Sequence, residues 1–216
     1  MVKNTFIEIV SPFTMTSVER MGALYDSLEY IRANNIQGDF VECGVWKGGN
    51  ILGIMEYLAF HKMTDRKVFL YDTFQGMTPP EDIDKDLNGR KAESILEDVM
   101  CISPIDEVRE TISRSSFPLV NVIFVQGDVC VTLNGAKYIH ENNLALLRLD
   151  TDWYASTKKE MEVLYPKLNF GGVLIVDDYG HWKGSKTAVD EYFEGQGISP
   201  KIEQIDYTGI KIIKNG

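Results

Sequence analysis

Apolar residues gather along this chain in short runs, each closed by an acid or a glycine. They are Asp39–Val45 (DFVECGV), Lys67–Asp72 (KVFLYD), Asn121–Val125 (NVIFV), Leu144–Leu149 (LALLRL) and Val173–Val176 (VLIV). Runs of this length with this composition predict buried strands. Between them, apolar positions recur near helical spacing. Helices are predicted from a Ser17 cap to about Asn35, with Met21, Leu24, Tyr25, Leu28, Tyr30 and Ile31 as the apolar positions, and from Asn50 to Lys62. Others follow over Ile105–Ser113, with Ser103 as cap and Pro104 in the first position, and over Val131–His140, Thr157–Leu168 and Ser185–Phe193. Gly171-Gly172 reads as the stop after the fifth of these. Met1–Ser17 reads as irregular, with an extended run at Thr5–Val10. Lys201–Asp206 and Ile210–Lys214 flank Tyr207-Thr208-Gly209 as a β-hairpin.

Strand and helix alternate five times before the hairpin. That order predicts an α/β fold, a doubly wound, mostly parallel seven-stranded sheet with a C-terminal antiparallel hairpin. One domain over 1–216 is expected, with 1–36 as an N-terminal helical or lid segment. The polar, Gly- and Pro-rich stretch 76–95 is long for a connection and reads as a mobile loop.

Composition narrows the function. A net charge of −10 speaks against nucleic acid or an anionic membrane as partner. Cys43, Cys101 and Cys130 lie far apart without CxxC spacing, which suggests neither a disulfide framework nor a zinc site. No apolar run has membrane-spanning length, and the N-terminus lacks a signal-peptide pattern, so a cytoplasmic protein is expected.

The candidate chemistry sits at the strand ends, where ligands of doubly wound sheets bind. The first strand leads into Glu42-Cys43-Gly44-Val45-Trp46-Lys47-Gly48-Gly49. Glycines there let a backbone approach a ligand, while Glu42 would repel phosphate and suits a cationic amino group. Asp72, about thirty residues on, stands where an acid grips ribose hydroxyls. Gly127-Asp128 ends the third strand, with a carboxylate placed for an adenine amino group. Cationic head, ribose and adenine together describe S-adenosylmethionine. Each acid is singly also explicable as a helix cap or loop residue.

The fourth and fifth strands end in acid pairs, Asp150 with Asp152 and Asp177 with Asp178. Four carboxylates at one sheet edge call for a cation or a proton. Asp150, Asp177 and Asp178 are candidate ligands for Mg²⁺, and Asp152 the general base for an acceptor with neighbouring hydroxyls. His181 is a rival base or a substrate-pocket residue. His61 and His140 read as helix C-terminal residues. Trp46, Trp153, Tyr154, Tyr179 and Trp182 fit either packing or stacking on a ligand.

GDFVECGVWKGGN, LYDTFQGM, LRLDTDWYAST, GGVLIVDDYGHWKG and AVDEYF resemble the macrocin O-methyltransferase family from about Gly38 to Phe193. The resemblance implies a class I, Rossmann-like methyltransferase that uses S-adenosylmethionine and Mg²⁺ to methylate sugar hydroxyls in natural-product biosynthesis. It implies Asp150, Asp177 and Asp178 at the metal, Asp152 as base, and Glu42, Gly44, Asp72, Gly127, Asp128 and Asp150 at the cofactor. A small-molecule, sugar-like hydroxyl acceptor is the expected partner. The N-terminus looks short beside relatives that assemble through this region, and a homo-oligomer is compatible with the chain. The rivals are a haloacid dehalogenase-type phosphohydrolase, for which Trp153 to Val176 leave too little room, a nucleotide-type oxidoreductase, for which the glycine pattern is poor, and a non-catalytic protein with a methyltransferase fold.

Overall fold

In the central sheet strands, alternate residues enter opposite cores, as the two-residue period requires. Phe40, Leu70, Leu146, Val173 and Ile175 pack on one side, and Val41, Phe69, Leu147, Leu174 and Val176 on the other. The computed structural model describes residues 1–135 and 143–215. Its strands are β1 (Asp39–Cys43), β2 (Val68–Asp72), β3 (Val122–Gln126), β4 (Leu144–Leu149), β5 (Leu168–Val176), β6 (Ile202–Gln204) and β7 (Ile210–Ile213). They form one seven-stranded sheet in the order β3-β2-β1-β4-β5-β7-β6, parallel except at β7 and β6. The predicted sheet and closing hairpin are therefore present. Among the described residues no helix is long and apolar enough to cross a membrane.

The helices are α1 (Lys3–Val10), α2 (Val18–Ala33), α3 (Gly49–Phe60), α4 (Ile105–Ile112), α5 (Val129–Thr132), α6 (Tyr154–Val163) and α7 (Lys183–Gly195). Ser17 caps α2 as predicted, accepting from Arg20 N at 3.1 Å. The extended run expected at Thr5–Val10 is instead α1. Phe6 and Val10 share one helix face, are fully buried and press on Gly53 of α3, where a Cβ would stand 2.5 Å from Val10 Cγ2. Pro104, not Ser103, holds the cap position of α4, and Ser103 Oγ donates to Glu107 Oε2 at 2.9 Å. The predicted helix 131–140 is α5 followed by a 3-10 turn at Leu133–Gly135, and its remainder, with His140, lies outside the described residues.

Two further corrections concern the segment between the acid pairs. Gly171-Gly172 is no helix stop, because β5 runs through both residues. Gly171 N donates to Lys214 O at 2.7 Å and Lys214 N to Gly172 O at 2.9 Å, so the hairpin supplies their ladder partners. Gly171 adopts φ 78°, and the β4–β5 register slips between Leu144 and Leu146. Helix α6 begins at Tyr154 rather than Thr157, because Asp84 Oδ1 accepts from Tyr154 N at 2.8 Å. That cap comes from a distant loop.

The stretch 76–95 is built around Asp84, which is fully buried. Its Oδ2 accepts from Glu81 N at 2.7 Å, and its carbonyl accepts from Ala92 N at 2.8 Å. Next to it, Lys85 O accepts from Lys183 N, at the start of α7, at 2.8 Å. One short segment thus satisfies orphan N–H groups of both helices that follow the acid pairs. Gly184 makes room for it, since a Cβ there would stand 1.8 Å from Asp84 Oδ1 and 2.9 Å from Tyr154 N. Gly184→Ala is therefore expected to lower stability by about 1–3 kcal/mol. A thermal melt followed by circular dichroism reads this, and an unchanged midpoint contradicts the packing described.

Candidate active site

Glu42 and Arg148 stand opposite each other on neighbouring parallel strands. Arg148 in turn pairs in register with Ile175, two residues before Asp177. Strand alternation sends Glu42, Arg148 and Asp177 to the same face of the sheet, at its C-terminal edge. Arg148 is 1% exposed. Its Nη1 donates to Glu42 Oε1 at 2.6 Å and to Asp150 Oδ2 at 2.7 Å. Its Nη2 donates to Asp177 Oδ1, and to Thr16 Oγ1 at 3.3 Å. A second guanidinium comes from α2, where Arg20 Nη1 donates to Asp177 Oδ2 and Nε to Asp206 Oδ2 at 3.0 Å.

The acids call for a cation or a proton, and these two guanidinium groups, which the sequence reading did not weigh beside the metal, supply part of that positive charge. Arg148 hides in an apolar run, and two of its carboxylate partners, Glu42 and Asp177, lie 106 and 29 residues away in sequence, so local spacing does not reveal the cluster. The acids nevertheless remain hard to ionise. Burial pushes Asp152 up to about 8, and the Asp150 charge adds to it. Burial likewise lifts Asp150 and Asp177 to about 6 and Glu42 to about 7, against the pull of Arg148. Asp178 is raised well above the ordinary range, by burial and by the nearby Asp152 and Asp177. For Arg148, burial alone would lower the pKa, but the Asp150, Asp177 and Glu42 charges more than reverse it.

The four aspartates open on a cavity of about 360 Å³. Gly44, Asp72, Gly127 and Asp128 line the same cavity from the ends of β1, β2 and β3. Asp72 also orders the turn it faces: Oδ2 accepts from Val45 N at 2.7 Å and Trp46 N at 3.2 Å, and Oδ1 from Phe74 N at 2.7 Å. Asp128 Oδ1 caps α5 through Cys130 N at 2.8 Å. Gly44, at φ 80°, lets the turns after β1 and β4 touch, since a Cβ there would stand 2.0 Å from Asp150 O.

Glu42 departs from the expectation. It is 1% exposed, lies outside the cavity lining and shares Oε1 between Arg148 and Asn50 Nδ2. The guanidinium opposite it draws it beneath the floor, and Asn50 takes the place in the wall.

One oxygen from each of Asp150, Asp177 and Asp178 lies within 4.8 Å of the others, and Asp178 Oδ2 is buried without a hydrogen-bond partner. An all-oxygen donor set with an orphaned buried oxygen fits a hard divalent cation. Trp153 is packing, edge-on to Trp182 at 4.9 Å with Nε1 donating to Thr78 O at 2.8 Å. Trp46 and His181 line the cavity, and burial lowers the His181 pKa, which favours neutral imidazole. His61 sits at the C-cap of α3, on Tyr57. All three cysteines are free.

Residues 10–214 match the family model for macrocin-O-methyltransferase (TylF). The chain belongs to the macrocin-O-methyltransferase family. It is thus an O-methyltransferase with the class I methyltransferase fold. It is 34% identical to 8-demethyl-8-(2,3-dimethoxy-alpha-L-rhamnosyl)-tetracenomycin-C 4'-O-methyltransferase of Streptomyces olivaceus, over 91% of this chain and 74% of that protein. Against demethyldecarbamoylnovobiocin O-methyltransferase of Streptomyces niveus the identity is 35%, with the same coverage. The solved structure of the O-methyltransferase NovP superposes with TM-score 0.82 at 33% identity, over 94% of this chain and 83% of its own. The calicheamicin methyltransferase CalS11, at 16% identity and TM-score 0.71 over 98% of this chain and 90% of its own, shares the fold.

The raised carboxylates set the pH dependence of the chain in the absence of a divalent cation. The folded chain holds protons on Asp152 and Glu42 that the unfolded chain has released. Their stabilising contribution is full below the unfolded carboxylate pKa and is lost as pH rises through the folded values. Urea midpoints in excess chelator are expected to fall from about pH 5 to about pH 8. A midpoint rising across that window contradicts the assignment.

Proposed function

We propose that the chain transfers a methyl group from S-adenosylmethionine to a hydroxyl of a sugar or other vicinal diol on a small molecule. One observation carries this reading. The cavity brings Asp150, Asp152, Asp177 and Asp178 together with Gly44, Asp72, Gly127 and Asp128. Acceptor chemistry and donor recognition therefore share one space. The names of relatives from Streptomyces olivaceus and Micromonospora griseorubida, the latter a mycinamicin III 3''-O-methyltransferase 31% identical to this chain, support an oxygen acceptor of glycosidic type.

The residues divide the work. Gly44, Asp72, Gly127 and Asp128 would hold the donor, with Asp150 beside it. Glu42 acts from beneath, by fixing Arg148 and Asn50. Asp150, Asp177 and Asp178 would hold a divalent cation, Mg²⁺ in our assignment. Such an ion lowers the pKa of a neighbouring hydroxyl. Asp152 takes the hydroxyl proton, and its raised affinity for protons suits a base working near neutral pH. Thr14, Met15 and Thr16 from the segment before α2, with Gly76, Met77 and Thr78 from the loop after β2, line the cavity and cover the acceptor side. Orientation of donor and acceptor supplies most of the acceleration, up to about 7–11 kcal/mol in favourable cases.

Methyl transfer from labelled S-adenosylmethionine to a panel of glycosides with adjacent hydroxyls tests this. Asp152→Asn is expected to reduce kcat by roughly 10²–10⁴-fold while donor binding persists. Chelator should abolish turnover, and Mg²⁺ or Mn²⁺ restore it. Wild-type turnover by Asp152→Asn removes the proposed base.

A further inference from the structure

Glu160, in the second turn of α6, is fully buried, and the proton transfer described above makes no use of it. Its carboxyl oxygens accept from Thr151 Oγ1 at 3.0 and 3.2 Å. The Cys43 thiol lies beside it, and each shifts the other's pKa. Those two contacts reach the ends of neighbouring strands, since Cys43 pairs in register with Leu149. Thr151 is the middle residue of Asp150-Thr151-Asp152. Cys43 ends β1, and its carbonyl accepts from Asp150 N at 2.9 Å. Helix α6 grips the same turn a second time, since Ser156 Oγ donates to Trp153 O at 3.0 Å and to Thr151 O at 3.3 Å. Within the turn, Trp153 N donates to Thr151 O at 2.7 Å.

Asp152 has φ 66°, in the left-handed region. A non-glycine residue stays there only when its surroundings over-determine the conformation. Thr151 Oγ1 is the side-chain handle on that turn, and Glu160 holds it. We propose that Glu160 is a positioning residue for Asp152: it fastens Thr151 to the end of β1 and so fixes the turn that presents the Asp152 carboxylate to the cavity. The inference rests on Asp152 being the base. Burial raises the Glu160 pKa to about 8, so a neutral carboxyl occupies this place at physiological pH and adds no further charge beside Asp150. An amide of the same shape keeps the acceptor oxygen for Thr151.

The test compares Glu160→Ala, Glu160→Gln, Thr151→Val and the double variant Glu160→Ala/Thr151→Val, each checked for folding by thermal melt. Glu160→Ala is expected to lower kcat on the order of 10- to 100-fold, the scale of a small misplacement of a reacting group. Acceptor KM and S-adenosylmethionine Kd should move by less than about 3-fold, because the loss is confined to the reacting geometry. Glu160→Gln should restore kcat to within about 3-fold of wild type, and the double variant should be no worse than its worse parent, as for two halves of one contact. If Glu160→Ala does not fold, the smaller change Thr151→Val carries the same expectation alone. A folded Glu160→Ala or Thr151→Val with wild-type kcat overturns the inference, as does a Glu160→Gln as slow as the alanine variant. Asp152→Asn separates the two readings. If it is inactive while Glu160→Ala is normal, only the positioning role fails, whereas wild-type turnover by Asp152→Asn removes the base and this inference with it.

Discussion

One buried guanidinium holds the site together. Arg148 sits in the middle of the sheet and binds carboxylates that end, or follow, the neighbouring strands β1, β4 and β5. Burying such charges apart would be prohibitive, and burying them together is tolerable only with close, hydrogen-bonded pairing. The pairing in turn depends on sheet register. Glu42 lies directly across from Arg148, and Ile175 is its neighbour on the other side. A slip of one residue would turn Arg148 to the other face and leave the acids without a partner. The hydrophobic pattern that sets the strands thereby sets the positions of the acids that line the cavity.

From that centre the remaining parts take their places. The turn after β1 touches the turn after β4 at Gly44, which brings the β1 end of the cavity against Asp150. Asp72 organises the backbone after β1 as well as its own loop. On the other side, Asp84 and Lys85 cap the helices that follow the two acid pairs. Arg20 ties the N-terminal segment to Asp177 and to the turn of the hairpin at Asp206. Segments far apart in sequence therefore meet around the acids, which is why this part of the cavity is built from parts with no motif of their own.

The strands and their order were legible because period and burial are local properties. Leu144–Leu149 was read to the residue, and the acids at the strand ends were placed on one cavity. What sequence reasoning missed was decided by distant partners. Arg148 looks like an interruption of an apolar strand until Glu42 and Asp177 are beside it. Thr5–Val10 has strand-like composition, yet Phe6 and Val10 fit against Gly53 only as a helix face. The start of α6 depends on an Asp84 cap from seventy residues earlier. Glu42 was expected in the cavity wall, since its neighbour across the sheet was not recognised as the charge that would draw it under the floor.

Arg148 compensates the buried charge of Glu42, Asp150 and Asp177 at the heart of the site. The most direct test of this is the urea unfolding free energy of Arg148→Met against wild type, in chelator, at neutral pH and in mild acid. Removing one partner of a buried charged cluster should cost about 3–5 kcal/mol at neutral pH. The loss should shrink in mild acid, where the abandoned carboxylates take up protons instead. Equal stability of the two proteins at neutral pH, or a deficit that grows toward acid, would contradict the account.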